Sequence, residues 1–169
     1  MQFYRIKQFY WAVQSLIKKD DFAILNKYLN SEQLNLFMRI SKSERQHSIR
    51  VYKSAINYID DKNISNIDKN KMSKCALLHD IGKSQVKLNI FEKSFVVIMN
   101  KITLGNFLKY NKIKRISNYY NHPTIGAKLL RDSGENDEDI IECVEQHHNE
   151  EIKEKSIYLK ILMICDNCN

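Results

Sequence analysis

Five histidines, His47, His79, His122, His147 and His148, are spread along the 169-residue chain, and each falls at an expected helix end or on a core-facing turn. Two carboxylates, Asp80 and Asp166, close the apolar runs "CALLHD" and "LKILMICD". A carboxylate taken out of water is costly unless it is paired or bound to a metal. Imidazole nitrogens and carboxylate oxygens together suit one or two divalent transition ions, Mn, Fe, Co, Ni or Zn, better than Mg or Ca, which prefer oxygen shells. Each residue alone also has a plain structural reading, since a core-facing histidine is commonly just hydrogen-bonded and a terminal Asp can be hydrated.

The elements that must position these groups read as helices. One Pro and four Gly in 169 residues leave too few turn residues for a sandwich or barrel, so the fold class is all-α. Helix-period apolar residues mark 2–18, 21–30 and 31–40. Ser41 and Glu44 have capping-box spacing at the head of the next helix, where Val51, Ala55 and Ile59 form one stripe and His47 lies four positions before Val51. A helix over 68–80 ends in His79-Asp80, with Gly82 as its left-handed cap. A carboxylate at that negative helix end needs compensation, from a cation or from water. A further helix is expected over 89–102. Pro123 begins another behind His122 with Gly134 as its terminator, "NDEDIIECVEQHHN" has an acidic first turn, and an apolar helix from about Ser156 carries Asp166.

Hydrophobic residues make up 43% and charged residues 28%, which is ordinary globular usage, so one domain over 1–169 is expected. The apolar N-terminal stretch is broken by Arg5, Lys7 and Gln14 and reads as neither signal peptide nor anchor; a cytoplasmic location and no membrane partner follow. Cys75, Cys143, Cys165 and Cys168 would then be thiols. The Cys165/Cys168 pair has neither the strand-to-helix setting of a redox motif nor a second pair to complete a zinc site. The net charge is +7, divided between a basic stretch over 84–121, a local +6, and an acidic one over 133–155, a local −7. Without a groove-reading motif, the basic stretch reads as a solvated face and nucleic acid is not an expected partner.

Taken in order, "RQHSIRV", "LLHDIGKS", "NHPTIGAKLL", "VEQHHN" and "LKILMICD" resemble the HD-domain metal-dependent phosphohydrolase superfamily, in its HDIG form. The resemblance spans 41–166, and the expected organisation is an HD core over 41–169 with an N-terminal helical extension over 1–40. It implies a helical bundle around a metal centre. His47, His79, Asp80 and Asp166 match the ligands of a primary metal; Asp80 would bridge to a second, held by His122, His147 and His148. Asp80 and Lys83 would be the catalytic residues, with Lys83 and Arg50 as contacts to substrate phosphate. The implied activity is hydrolysis of a nucleotide or other small phosphate mono- or diester by metal-activated water. The alternative is a non-catalytic HD module that binds a nucleotide, a metal or a protein partner in regulation. The double His resembles the HD-GYP proteins, but the chain continues "HHNEEIKEKSIY" without their Gly-Tyr-Pro loop. Ser43 stands where trinuclear members carry an acid. The "HP-x-x-GA-x-LL" segment also resembles dinucleoside tetraphosphate hydrolases.

Overall fold

In the computed structural model, seven α-helices and one 3-10 helix are delimited within the described residues, which are Trp11, Gln14, Ser15, 17–85 and 120–169. No strand occurs among them. The helices expected over 2–18 and 89–102, and nearly all of the basic stretch, lie outside the described residues. No described helix is long and apolar enough to cross a membrane.

Two short helices, α1 (Phe22–Tyr28) and α2 (Ser31–Arg39), begin at side-chain caps. Asp21 accepts from the Ile24 N–H, and Asn30 and Gln33 close a complete capping box. Helix α3 (Lys42–Asp61) starts from Ser41, whose hydroxyl accepts the Glu44 N–H at 3.4 Å. That is one arm of the capping box expected there; the Glu44 carboxylate is aimed instead at Lys83, 3.9 Å away. The stripe Val51, Ala55, Ile59 is buried as its spacing requires.

Helix α4 (Lys69–Leu78) is capped by Asp68, which accepts from the N–H groups of Asn70 and Lys71. It ends two residues before the expected Asp80: His79 is its C-cap in right-handed geometry, and a 3-10 helix, Ile81–Gln85, follows directly. Gly82 is therefore not a left-handed cap; only Gly134 among the described glycines has positive φ, +86°. The reason for glycine at 82 is contact. An added Cβ would lie 1.9 Å from the His122 carbonyl oxygen and 2.7 Å from the Gly126 nitrogen, so only a bare Cα lets the 3-10 helix press against the next helix. That helix, α5 (His122–Asp132), is followed by α6 (Glu138–Gln146), with Asp137 as cap, and α7 (Ile157–Cys168), capped by Ser156.

The core lies between α3, α4, α6 and α7, with fully buried Met72, Leu77, Leu78, Val144 and Leu162 among its members. Leu25 of α1 and Phe37 of α2 join it. Since α5 packs on both the 3-10 helix and α6, the C-terminal ends of α4 and α6 and the N-terminal end of α5 meet at one place. The acidic first turn of α6 is neutralised locally, by Lys71 of α4 at 3.0 Å from Asp137 and 2.6 Å from Asp139.

Candidate metal centre

The meeting of these helix ends has a consequence for two histidines. The last carbonyls of a helix lack intrahelical partners. His79 and His147, each the C-cap of its helix, turn a ring back so that Nδ1 lies 2.9 Å from the carbonyl three residues earlier, Ala76 and Val144 respectively. With Nδ1–H donating to the carbonyl, Nε2 points the other way, into the site. This arrangement fixes ring orientation in metal-ligating histidines.

Asp80, 1% exposed, lies at the centre of what these nitrogens face. Its Oδ2 is 3.4 Å from His79 Nε2, and its Oδ1 is 3.1 Å from His122 Nε2 and 3.7 Å from His147 Nε2. His122 Nε2 is 3.2 Å from His147 Nε2. On the other side, Asp166 Oδ1 is 2.8 Å from His47 Nε2 and 3.6 Å from His79 Nε2. His148, exposed overall, sets its ring tilted by 49° against that of His147 and edge-on to that of His122, with centroids 4.0 and 5.2 Å apart. Two groups of donors close enough to hold an ion result: His47, His79 and Asp80, and His122, His147 and His148.

These residues fit a metal on an observation independent of spacing. His79 Nε2 and Asp80 Oδ1 are fully buried and make no hydrogen bond; the neighbouring nitrogens are close but off the hydrogen-bonding line. Buried polar atoms are nearly always satisfied, and orphaned ones call for an explanation such as an ion. Electrostatics agree with that. Burial would raise the Asp80 pKa, but Lys83 and His79 hold it well below the usual carboxylate range. Asp166 is likewise held far down against its burial by His47 and His79. Burial, with His79 and His148 beside it, keeps His147 neutral; the ring of His148, although its residue is exposed, loses water where it meets the cluster, and this with His122 beside it lowers its pKa to about 4. His79 is the exception: burial pushes its pKa down, yet the Asp80 and Asp166 carboxylates prevail and raise it to about 10.

The seven residues expected as ligands therefore come together, His47, His122 and Asp166 from α3, α5 and α7, and the other four from the short segments that follow α4 and α6. Lys83 joins them from the 3-10 helix, its Nζ 2.7 Å from Asp80 Oδ2. Arg50 is placed against the indole of Trp11, with the guanidinium carbon 4.6 Å from a ring centroid. Cys165 and Cys168 are free thiols on α7 and belong to neither donor group. Sequence reasoning missed the Ala76 and Val144 carbonyls. The signal was available, because a histidine just after a helix's last turn has an unsatisfied carbonyl three residues behind it.

An all-helical chain that gathers imidazoles and carboxylates at the converging ends of its helices defines a class, the helical proteins built around a His/Asp metal centre. The HD domain profile matches residues 45–169, and the chain belongs to that family, whose members are typically metal-dependent phosphohydrolases. Neither curated proteins nor solved structures give a significant match.

Proposed function

We propose that this protein is a divalent-metal phosphohydrolase whose substrate is a nucleotide or another small phosphate ester. The observation that carries the reading is Asp80, whose two buried oxygens face different histidine groups, Oδ2 toward His79 and Oδ1 toward His122 and His147. His47, His79, Asp80 and Asp166 would hold one ion; His122, His147 and His148, with Asp80 shared, would hold a second. When bound, such ions supply Lewis acidity, acidifying water for attack on phosphorus and offsetting charge on the phosphoryl oxygens.

The chain's own groups do the remainder. Ala76 and Val144 orient two imidazoles, so their geometry need not be organised during turnover. Lys83 is a partly exposed cation at the rim that can meet a phosphate oxygen. We also read residues 1–169 as one unit with the segment before residue 41 as an extension; the burial of Leu25 and Phe37 in the common core supports this.

Metal titration gives a pH-dependent expectation. With a pKa near 10, His79 is protonated at neutral pH, so a ligand bond at its Nε2 displaces that proton. Ion uptake near pH 7.5 should release about one proton from this residue, and affinity should rise with pH up to about 10. Calorimetry in buffers of differing ionisation enthalpy reads both quantities. Affinity that falls with rising pH would contradict a ligand role for His79.

The function itself is tested by loading the protein with Mn(II) or Fe(II) and assaying released phosphate from nucleotides and generic phosphoesters. Hydrolysis that disappears in His79→Ala supports the proposal. Nucleotide binding without turnover would instead indicate the regulatory, non-catalytic module. Less than one equivalent of ion, bound no better by the wild type than by His79→Ala, would refute the metal centre altogether.

A further inference from the structure

Glu44 lies one residue before the family match begins and carries no ligand role in the scheme above. Its position at the third residue of α3 and its spacing from Ser41 mark it as a helix cap. The structure uses it otherwise. Its side chain is only 13% exposed, and Oε2 stands 3.9 Å from Lys83 Nζ, whose own side chain is 14% exposed. The same ammonium lies 2.7 Å from Asp80 Oδ2. One cation is thus held between two carboxylates that come from different elements, one at the head of α3 and one immediately after α4.

The geometry points to Glu44 as a positioning residue that keeps the Lys83 ammonium at the rim of the His/Asp cluster, where it meets substrate phosphate. The physical reason is competition for Asp80. A ligand bond at Asp80 Oδ2 draws that oxygen's electron density away from the ammonium, and the contact at 2.7 Å weakens. A long, flexible lysine with one weakened anchor loses its fixed direction, because ordering it costs rotamer entropy. Glu44 supplies a second anchor that metal binding does not withdraw. His47 is three residues along α3 from Glu44, on the same face, so the segment that presents a proposed ligand also presents this tether. The inference rests on the metal-centre reading proposed above.

The test uses full-length protein, Co(II) as the metal probe and inorganic phosphate as the anion probe. Co(II) affinity is read from its visible absorption in Glu44→Gln, Glu44→Asp, Lys83→Met and the Glu44→Gln/Lys83→Met double variant. Phosphate affinity is then measured on each Co(II)-loaded form. Lys83→Met should weaken phosphate binding by about tenfold or more, the effect of losing a charge-assisted contact. Glu44→Gln should weaken it by about two- to fivefold, the size of a partly exposed ion pair. The double variant should bind phosphate no worse than Lys83→Met alone, because the assignment routes the effect of Glu44 on phosphate through the lysine. Glu44→Asp should recover part of the loss, and no variant should bind Co(II) more than about twofold more weakly, since neither residue is a ligand in this scheme.

Additive losses in the double variant, or unchanged phosphate binding in Glu44→Gln, would overturn the assignment. So would a large fall in Co(II) affinity with Glu44→Gln, which would make Glu44 a ligand instead. Failure of the wild type to bind Co(II) at all is a different result. It would remove the metal centre, and this inference with it, before any variant is compared.

Discussion

Asp80→Asn should lose metal from both donor groups at once and reduce phosphoester hydrolysis by at least about 100-fold, beyond the 10- to 100-fold typical of an outer partner of a ligand. The expectation comes from the way one carboxylate divides its oxygens. Oδ2 faces His79 and Oδ1 faces His122 and His147, so among the described residues Asp80 is the carboxylate with oxygens toward both groups. His47→Ala and His148→Ala each touch one group and should spare most of the ion content of the other. Metal analysis of the three purified variants checks this. Equal losses in all three would show that the two groups act as one site, and retention of both ions in Asp80→Asn would deny Asp80 the shared role.

The same substitution has a signature in metal-free protein. Asp80 and His79 are buried, and Asp80 is the counter-charge to both His79 and Lys83. Removing one partner of a buried pair costs on the order of 3 kcal/mol. The sign with pH follows from His79, whose folded pKa of about 10 lies above its ordinary value of about 6.5. Its contribution is complete below pH 6.5 and is lost as pH rises through 10. The wild type's advantage over Asp80→Asn in urea denaturation should therefore be largest near pH 6 and smaller near pH 10.

Much of the site was legible in the chain because its signals are local. A histidine four residues before Val51 had to face the core side of α3, and Val51 is fully buried. The question raised by a carboxylate after α4 also had a short list of answers. Burial removes bulk water from that list, and among the described residues the Lys83 ammonium and protonated His79 are cations beside the carboxylate. What the sequence could not show is where elements distant along the chain touch. Glu44 reads as half of a capping box from Ser41 three residues behind it, and its N–H does take that bond, but its carboxylate stands near Lys83, thirty-nine positions ahead. Arg50, named as a phosphate contact from its place one turn after His47, has its guanidinium carbon 4.6 Å from the Trp11 ring, a contact no motif specifies.

Gly82 is the clearest such case and gives the second large effect. Read locally, Gly82 and Gly134 are the same object, a terminator after a helix, and replacing either by alanine should carry the same left-handed penalty of about 1–2 kcal/mol. The structure separates them. Gly134 has φ +86° and nothing within 4 Å of an added Cβ, so Gly134→Ala should cost that local amount and no more. Gly82 lacks the positive φ, yet its Cβ would overlap main-chain atoms of the first turn of α5, which cannot rotate away as a side chain can. Overpacking of this kind costs about 3 kcal/mol or more, a large part of a total stability of about 5–15 kcal/mol. For a chain of this length, that lowers Tm by roughly 6–12 °C. The displaced atoms belong to His122, whose ring faces Asp80 at 3.1 Å, and Gly126 offers no escape, being itself packed against Val144. Gly82→Ala should therefore also weaken ion binding at His122, His147 and His148, whereas Gly134→Ala should leave it intact. Thermal unfolding followed by circular dichroism, with metal affinity measured on both variants, reads the two effects separately. Equal destabilisation with unchanged affinity would mean that Gly82 is only a helix terminator and that the approach of the 3-10 helix to α5 does not build the site.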